Sequence, residues 1–409
     1  MPDVSHLRSL FGRTGTGPLL ISEYADLAGL TAHSQAQGER KTNYLLLGLF
    51  GEVGSLLSEL KKKQRDRSAY RAYARSAIEE TGDVLWYFSN LVTHLGFKLE
   101  DVAVAAAAPA DTGRLARSIS SWVELQKQPR LFEEPASGEH VERSLLRLAA
   151  RTGDLVRRSN AHSAGEDALT LQDLAQVFRV LISAADDASV SLEQAAALNL
   201  EKAVDRWPVI RDAGQLYDDD CDDDEKLPRD LPVTFREKSV GGTRFVIQTL
   251  HGVRIGDRLT DNRKDADDYR FHDVFHLSYA AILGWSPVLR ALLKVKRKSH
   301  PITDEHQDGA RAIITEEGIA NWIFAEGVRH DAFQEVESVD FALLRTIREM
   351  VKGYEVESRP LWMWEQAILR GFAVFRELQH HRGGLVTANL MNRTLTFTPL
   401  VAPPGEDHG

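Results

Sequence analysis

Apolar residues recur at three- and four-residue intervals through 17–35, 43–62, 70–95, 112–126, 141–158, 169–187 and 191–206, with Pro and Gly gathered between these stretches. That is the period of a helix face, so the first 208 residues predict helix nearly throughout. The pattern breaks at YDDDCDDDEKLPRDLP, residues 217–232, whose acidic run and prolines predict a solvated linker. Beyond it, PVTFREKSVGGTRFVIQTLHGVRIGDRL alternates apolar and polar positions around Gly241-Gly242, which predicts a short hairpin sheet. From Tyr269 to His381 the helical period returns, and LVTANLMNRTLTFTPL near the end reads as extended. The expected fold class is mainly α, with an α+β domain of a hairpin sheet and helices at the C-terminal end.

The helical half carries an internal similarity. LLGLFGEVGSLLSEL at 46–60 can be laid on LLRLAARTGDLVRRS at 145–159, and GDVLWYFSNLVTHLGFKLEDVA at 82–103 on AQVFRVLISAADDASVSLEQAA at 175–196. Both pairings run in the same order, about 95–100 residues apart, and predict a duplicated bundle. The expected division is a first repeat at 1–110, a second at 111–210, an acidic linker at 211–232 and a C-terminal domain at 233–409.

Composition narrows the picture. The 409 residues are 43% hydrophobic and 27% charged, as in ordinary globular proteins, and no apolar run approaches the roughly 18 residues that span a bilayer. The opening MPDVSHLRSLFGRTG lacks the apolar core of a secretion signal, and a lone cysteine, Cys221, fits a reducing cytoplasm. A formal charge of -10 argues against general nucleic-acid binding.

Within YLLLGLFGEVGSLL, Glu52 is a single charge in an apolar helical run, a position that normally requires a partner or a metal. Glu80 and Asp83 border the next apolar run, VLWYFSNLV, and a spacing of three places them on one helix face; Glu52, Ser55 and Glu59 share a face likewise. Two adjacent antiparallel helices can therefore bring three or four carboxylates together. Two such charges about 4 Å apart repel by roughly 4 kcal/mol at an effective dielectric near 20, so the cluster needs protons or a divalent cation. Oxygen-only ligands favour magnesium or manganese, and magnesium commonly bridges to substrate phosphates.

GEVGSLL followed by EETGDVLWYF resembles the MazG-like, all-α nucleoside triphosphate pyrophosphohydrolases, whose motif is ExxE, a spacer, then ExxD. The superfamily includes dimeric dUTPases and dCTP pyrophosphatases. The resemblance implies magnesium held by these acids and water attack at the α-phosphorus, releasing nucleoside monophosphate and pyrophosphate. It assigns Glu52 to the first acid, Glu80 to the third and Asp83 to the fourth. Ser55 stands at the second, which weakens the metal set, and Glu59 one turn on is the candidate to compensate. The family's downstream NxxKxxxRWP pattern is present as Asn199, Lys202, Arg206, Trp207 and Pro208, in the second repeat only. That repeat carries Arg151, Asp154, Asp173 and Gln176 where the acids should fall. The resemblance thus implies one composite site, with metal acids from the first repeat and substrate contacts from Asn199, Lys202 and Arg206. Water activation would fall to Glu52 or Glu80, and Trp86, Phe88 and Asn90 are candidates for a base pocket.

The C-terminal domain, to which this resemblance lends no activity, has its own constellation. His272 and His276 are spaced as metal ligands on one helix face, with Asp273 beside them, although Asp273 stands where the longer Glu of HExxH would act. Glu316 and Glu317 lie inside the apolar run ARAIITEEGIANWIF, and Lys294, Lys296, Arg297 and Lys298 form a basic cluster suited to phosphate. A second divalent metal is therefore a candidate here.

The leading expectation is a magnesium- or manganese-dependent pyrophosphohydrolase acting on a nucleoside triphosphate, in the cytoplasm, with no membrane partner and with a homo-oligomer open. Its C-terminal domain regulates or extends the chemistry. Two readings stand beside it: a non-catalytic nucleotide sensor, and a C-terminal His/Glu metallohydrolase with a structural helical half. The base, the sugar and the setting, nucleotide house-cleaning or defence, are not written in the residues.

Overall fold

The computed structural model describes residues 4–33, 36–108, 118–126, 136–163 and 168–400, with backbone alone for 161–163. The chain divides into two compact units, Met1–Arg211 and Asp212–Gly409. Among the described residues no helix is long and apolar enough to cross a membrane.

The first unit is helical: α1 (Val4–Leu10), α2 (Ile21–Leu30), α3 (Gly38–Asp66), α4 (Tyr73–His94), α5 (Leu99–Ala107), α6 (Trp122–Leu125), α7 (Glu139–Ser163), α8 (Leu171–Asp187) and α9 (Leu192–Arg206). The predicted stretch 112–126 is helical only over Trp122–Leu125 among its described residues, and 112–117, like 34–35, lies outside them. Local chemistry sets several ends. Thr170 and Asp173 form a capping box at the start of α8, and the Ser191 hydroxyl accepts from the Gln194 N–H to open α9. After α4 the chain turns through Gly96 at φ +83°, and after α8 through Ser189 at φ +56°. The antiparallel pairs α3–α4 and α7–α8 pack along their lengths, α5 lies on α8, and α9 lies on α4. Leu49, Val53, Phe88, Leu91, Phe178 and Leu181 belong to one core, where the Phe88 and Phe178 rings stack with centroids 5.2 Å apart.

The second unit combines a five-stranded antiparallel sheet, ordered β3-β2-β1-β4-β5, with helices. Its strands are β1 (Asp230–Val240), β2 (Thr243–Leu250), β3 (Val253–Leu259), β4 (Gly383–Asn389) and β5 (Thr394–Thr398). Its helices are α10 (Asp273–Leu283), α11 (Pro287–Leu293), α12 (Pro301–His306), α13 (Ala310–Arg329), α14 (Phe341–Met350) and α15 (Leu361–His381). The β1–β2 turn pairs Val240 with Thr243 across Gly241 and Gly242, whose φ values of +59° and +82° suit a tight hairpin turn that side chains disfavour. The predicted hairpin and the predicted C-terminal extended segment meet in one sheet, because β4 pairs with β1 with Val233 opposite Val386. Helices α10 and α15 pack on each other and on β4 and β5. Arg270 is fully buried and donates to Glu237 at 2.7 Å and Asp261 at 2.5 Å, and it also bonds Asp268. This network ties β1 to the turn that leads into α10.

The expectation of a solvated linker at 217–232 is corrected. Leu216, Asp218, Glu225 and Leu227 are buried, and β1 already begins at Asp230. The acidic run is a source of counter-charge. Asp218 accepts from Arg290 at 2.6 Å, Arg229 at 2.7 Å and the Leu227 N–H at 2.8 Å, and Glu225 accepts from the Ser299 N–H at 2.7 Å. Periodicity could not separate these acids from Asp222, Asp223 and Asp224, which are exposed.

Removing one partner of a buried ion pair costs about 3–5 kcal/mol. Asp218→Ala is therefore expected to destabilise the second unit by about 3 kcal/mol, which makes amide exchange in the β1–β4 ladder roughly 100-fold faster. Asp223→Ala, at an exposed pair with Lys226, should leave those exchange rates nearly unchanged.

Candidate functional site

Glu52 lies midway along α3, and Glu80 and Asp83 lie on one face of α4. The helices bring one carboxylate oxygen from each within 4.8 Å of the other two, at half-buried positions. Two glycines permit the close packing. A Cβ on Gly48, one turn before Glu52, would stand 2.0 Å from the Tyr87 ring of α4. A Cβ on Gly82 would stand 2.5 Å from the Ala195 carbonyl oxygen of α9.

Through that second contact α9 delivers Asn199 and Lys202 to the same place. The Asn199 amide donates to one Asp83 oxygen at 2.8 Å and the Lys202 ammonium to the other at 2.5 Å. Lys202 also lies 3.1 Å from Glu79, and the buried Tyr24 hydroxyl donates to Asn199 Oδ1 at 3.5 Å. The two residues expected on substrate phosphates thus hold Asp83. Glu79 and Tyr24 complete the arrangement; Glu79 reads from spacing as a solvent-facing neighbour, and nothing in the pattern marks Tyr24.

The electrostatics follow from this crowding. Burial, then the Asp83 and Glu52 charges, push the Glu80 carboxyl up from 4.5 to about 8. Burial, reinforced by Asp83, also raises Glu52. Asp83 is raised by burial even though Lys202 and Asn199 act to lower it. Burial disfavours the Lys202 charge, but Asp83 and Glu79 outweigh it and the ammonium is held above its ordinary range. One ammonium does not neutralise this set. An all-oxygen group of three convergent carboxylates fits magnesium or manganese in donor chemistry.

Other expected members lie elsewhere. Glu59 does not compensate for Ser55: its buried carboxylate accepts from the Tyr70 hydroxyl and from Lys62 at 2.5 Å. The Arg206 guanidinium lies over the Trp207 ring, 4.7 Å from its centroid. The base-pocket assignment is corrected as well. Phe88 is core, the Asn90 amide donates to the Trp86 carbonyl at 2.9 Å, and the Trp86 N–H donates to Thr31 at 2.9 Å. Where the second similar stretch aligns with the acids, a cavity of about 170 Å³ is lined by Arg151, Asp154, Asp173 and Gln176, together with Arg157 and Arg158. Arg158 bonds Asp173, and Arg151 lies 3.5 Å from Asp154. Three guanidiniums replace the acidic excess there.

In the second unit the structure divides the expected set. His272 closes the turn Tyr269–Phe271 and His276 lies one turn into α10; donor atoms of both, with a Glu317 oxygen, lie within 4.8 Å of one another. Asp273 stands 3.2 Å from His272 Nε2 and accepts from Gln248 at 2.8 Å. Glu316 lies behind His276, accepting from its Nδ1 at 2.8 Å, from the Ser286 hydroxyl at 2.7 Å and from the Val288 N–H at 2.8 Å. The basic cluster is not a phosphate patch built from all its members. Arg297 is buried and bonds Asp308 at 2.7 Å and Glu355 at 2.8 Å, whereas Lys294 and Lys298 are exposed and Lys296 is half-buried. A buried guanidinium cannot be told from exposed neighbours in KVKRKSH.

The fold and the acids together define a helical bundle with a cluster of three convergent carboxylates, joined in one chain to an α+β unit. Residues 212–401, essentially that second unit, match the family model of the MazG C-terminal domain. No curated protein and no solved structure matches the chain.

The raised carboxyls set a pH dependence. A native group at about 8 against 4.5 unfolded binds the extra proton between those values, so its contribution to stability is complete below 4.5 and is lost as pH rises through 8. In chelator, the melting temperature of the first unit should fall from pH 5 to pH 8. Magnesium should raise it more at pH 8 than at pH 6, and Glu80→Gln should flatten the dependence; calorimetry across pH reads all three.

Proposed function

We propose that the chain is a magnesium-dependent nucleoside triphosphate pyrophosphohydrolase that converts a (d)NTP to (d)NMP and pyrophosphate. The observation that carries this reading is the convergence of Glu52, Glu80 and Asp83 within 4.8 Å, with Asn199 and Lys202 bonded to Asp83 from α9. Its motif resembles that of MazG-like pyrophosphohydrolases, and the separate match of residues 212–401 to a MazG C-terminal domain points the same way. Glu52, Glu80 and Asp83 would hold the ion. When bound, the ion neutralises phosphate charge and acidifies a water for in-line attack. Asn199 and Lys202 fix both oxygens of Asp83, so that its orientation is set before substrate arrives. Burial and the neighbouring acids hold Glu80 at about 8, so to serve as a ligand it would have to release a proton.

We infer further that the first unit arose by duplication, with one competent site. In support, the turns after α4 and α8 make the same hydrogen bonds at aligned positions. The Gly96 N–H bonds the Thr93 carbonyl and the Phe97 N–H the Val92 carbonyl; the Ser189 N–H bonds the Asp186 carbonyl and the Val190 N–H the Ala185 carbonyl. The third helices are exchanged, α5 lying on α8 and α9 on α4. That exchange accounts for metal acids in one stretch and Asn199 and Lys202 in the other.

Ser55, together with the Lys202 ion pair on Asp83, favours one second reading: a nucleotide sensor that binds without turnover. A pyrophosphate-release screen across canonical and modified triphosphates, with magnesium and with manganese, separates the two. Turnover that Glu80→Ala and Asp83→Ala each reduce at least about 100-fold is the expected result. Ser55→Glu should lower the magnesium concentration needed for half-maximal rate. Nucleotide binding without pyrophosphate at any metal concentration would establish the sensor.

A further inference from the structure

We propose that His272, His276 and Glu317 form a binding site for one divalent transition-metal ion of the zinc class, separate from the acids of the first unit. The geometry is that of a ligand set. Glu317 Oε2 lies 3.5 Å from His276 Nε2 and 3.9 Å from His272 Nε2. Donors bound at about 2.0–2.1 Å to a tetrahedral ion are themselves about 3.3–3.4 Å apart, so the two carboxylate contacts close by roughly 0.2–0.6 Å and the imidazole nitrogens, within 4.8 Å of each other, by no more than about 1.5 Å.

Both imidazoles have an acceptor at Nδ1, which in the neutral ring turns Nε2 toward the metal position. A carbonyl oxygen can only accept, so the 2.9 Å contact of His272 Nδ1 with the Tyr269 carbonyl places the proton on Nδ1 and leaves Nε2 a lone pair. His276 Nδ1 faces the Glu316 carboxylate at 2.8 Å, so an ion at Nε2 would displace any proton there while Nδ1–H keeps its bond to Glu316. Glu316 is fully buried and is itself fixed by Ser286 and the Val288 N–H, so it acts as the outer carboxylate that orients a metal-binding histidine. The Tyr269 ring stacks on His272, centroids 4.1 Å apart and planes 1° from parallel, which fixes the ring plane.

His276 Nε2 is the second, independent sign. The residue is 0% exposed, and its Nε2 makes no hydrogen bond. Buried polar atoms are satisfied in the great majority of cases, and this one points at the Glu317 oxygen beyond hydrogen-bond geometry. Two imidazole nitrogens and a carboxylate select zinc or ferrous ion over magnesium. The Glu317 side chain is 43% exposed, so the ion would face solvent on one side and keep a position for water or a substrate oxygen. Three protein ligands with an open fourth position are the pattern of catalytic rather than structural zinc.

The test uses the full chain, stripped with chelator and titrated with zinc against a chromophoric competitor, and with cobalt, whose visible absorption reports low coordination. One zinc per chain is expected, with unchanged affinity in the Glu80→Ala/Asp83→Ala variant. A loss of at least about 100-fold is expected in His272→Ala and in Glu317→Ala, the latter at a half-exposed position that spares the core. Glu316→Gln should weaken binding about 10–100-fold. Absence of saturable zinc and cobalt binding by the wild-type chain would overturn the proposal, with His276 then a protonated partner of Glu316 and Glu317. Unchanged affinity in Glu317→Ala would overturn it equally. The pyrophosphohydrolase reading stands or falls separately, because its acids lie in the other unit.

Discussion

Charge taken out of water must be answered locally, and in this chain the answers decide where elements meet. In the first unit Asp83 draws Asn199 and Lys202 from α9 onto α4, and so fixes the packing of a helix more than a hundred residues away in sequence. In the second unit the buried Arg270, Arg290 and Arg297 are each matched by acids from distant segments: Glu237 and Asp261, Asp218, and Asp308 with Glu355. Desolvation makes an unmatched member of such a set costly, so the pairings constrain the fold as strongly as apolar packing does. Two places depart from this balance. Glu52, Glu80 and Asp83 exceed the ammonium that faces them, and His276 Nε2 has no hydrogen-bond partner.

What the residues disclosed in advance follows from this. Spacing rules act within an element, so Glu80 and Asp83 on one face of α4, and His272 with His276 at the start of α10, could be read directly. A lone acid in an apolar run also carries its own warning, and Glu52 was legible for that reason. Glu59 obeys the same spacing, yet its helix turns it toward Tyr70 and Lys62, and only the tertiary packing of that end of α3 decides it. The acidic run at 217–225 misled for a related reason. Composition describes an average over a segment, whereas Asp218 and Glu225 serve buried donors and Asp222 to Asp224 face water.

Aromatic positions show the same limit. Phe88 and Trp86 border the acids in sequence and so invite a ligand role, but the helical period turns Phe88 aside from them into the core, against Phe178. Two glycines, which the spacing argument did not use, mark the site better. Gly48 and Gly82 lie within one turn of Glu52 and Asp83, and both are positions where a side chain would strike the neighbouring helix. Close helix approach therefore coincides with the convergent acids, which is what a small, densely charged site requires.

The two similar hairpins of the first unit then present a contrast that backbone alone cannot explain. The α3–α4 pair carries Glu52, Glu80 and Asp83, while α7–α8 carries Arg151, Asp173 and Gln176 at aligned positions, with Arg158 bonded to Asp173. An arginine paired to an acid supplies in covalent form the positive charge that an ion would bring, so the second hairpin is stable without one. It has a similar helix pair without the excess of acids. The first hairpin keeps that excess, because Lys202 answers Asp83 and leaves Glu52 and Glu80 to share a proton or a cation. Selection for self-contained stability would favour filling that gap with a second basic side chain, as α7 does. Under the proposed reading, the acids on α3 and α4 serve an ion that comes and goes, a role the needs of the fold alone would not require.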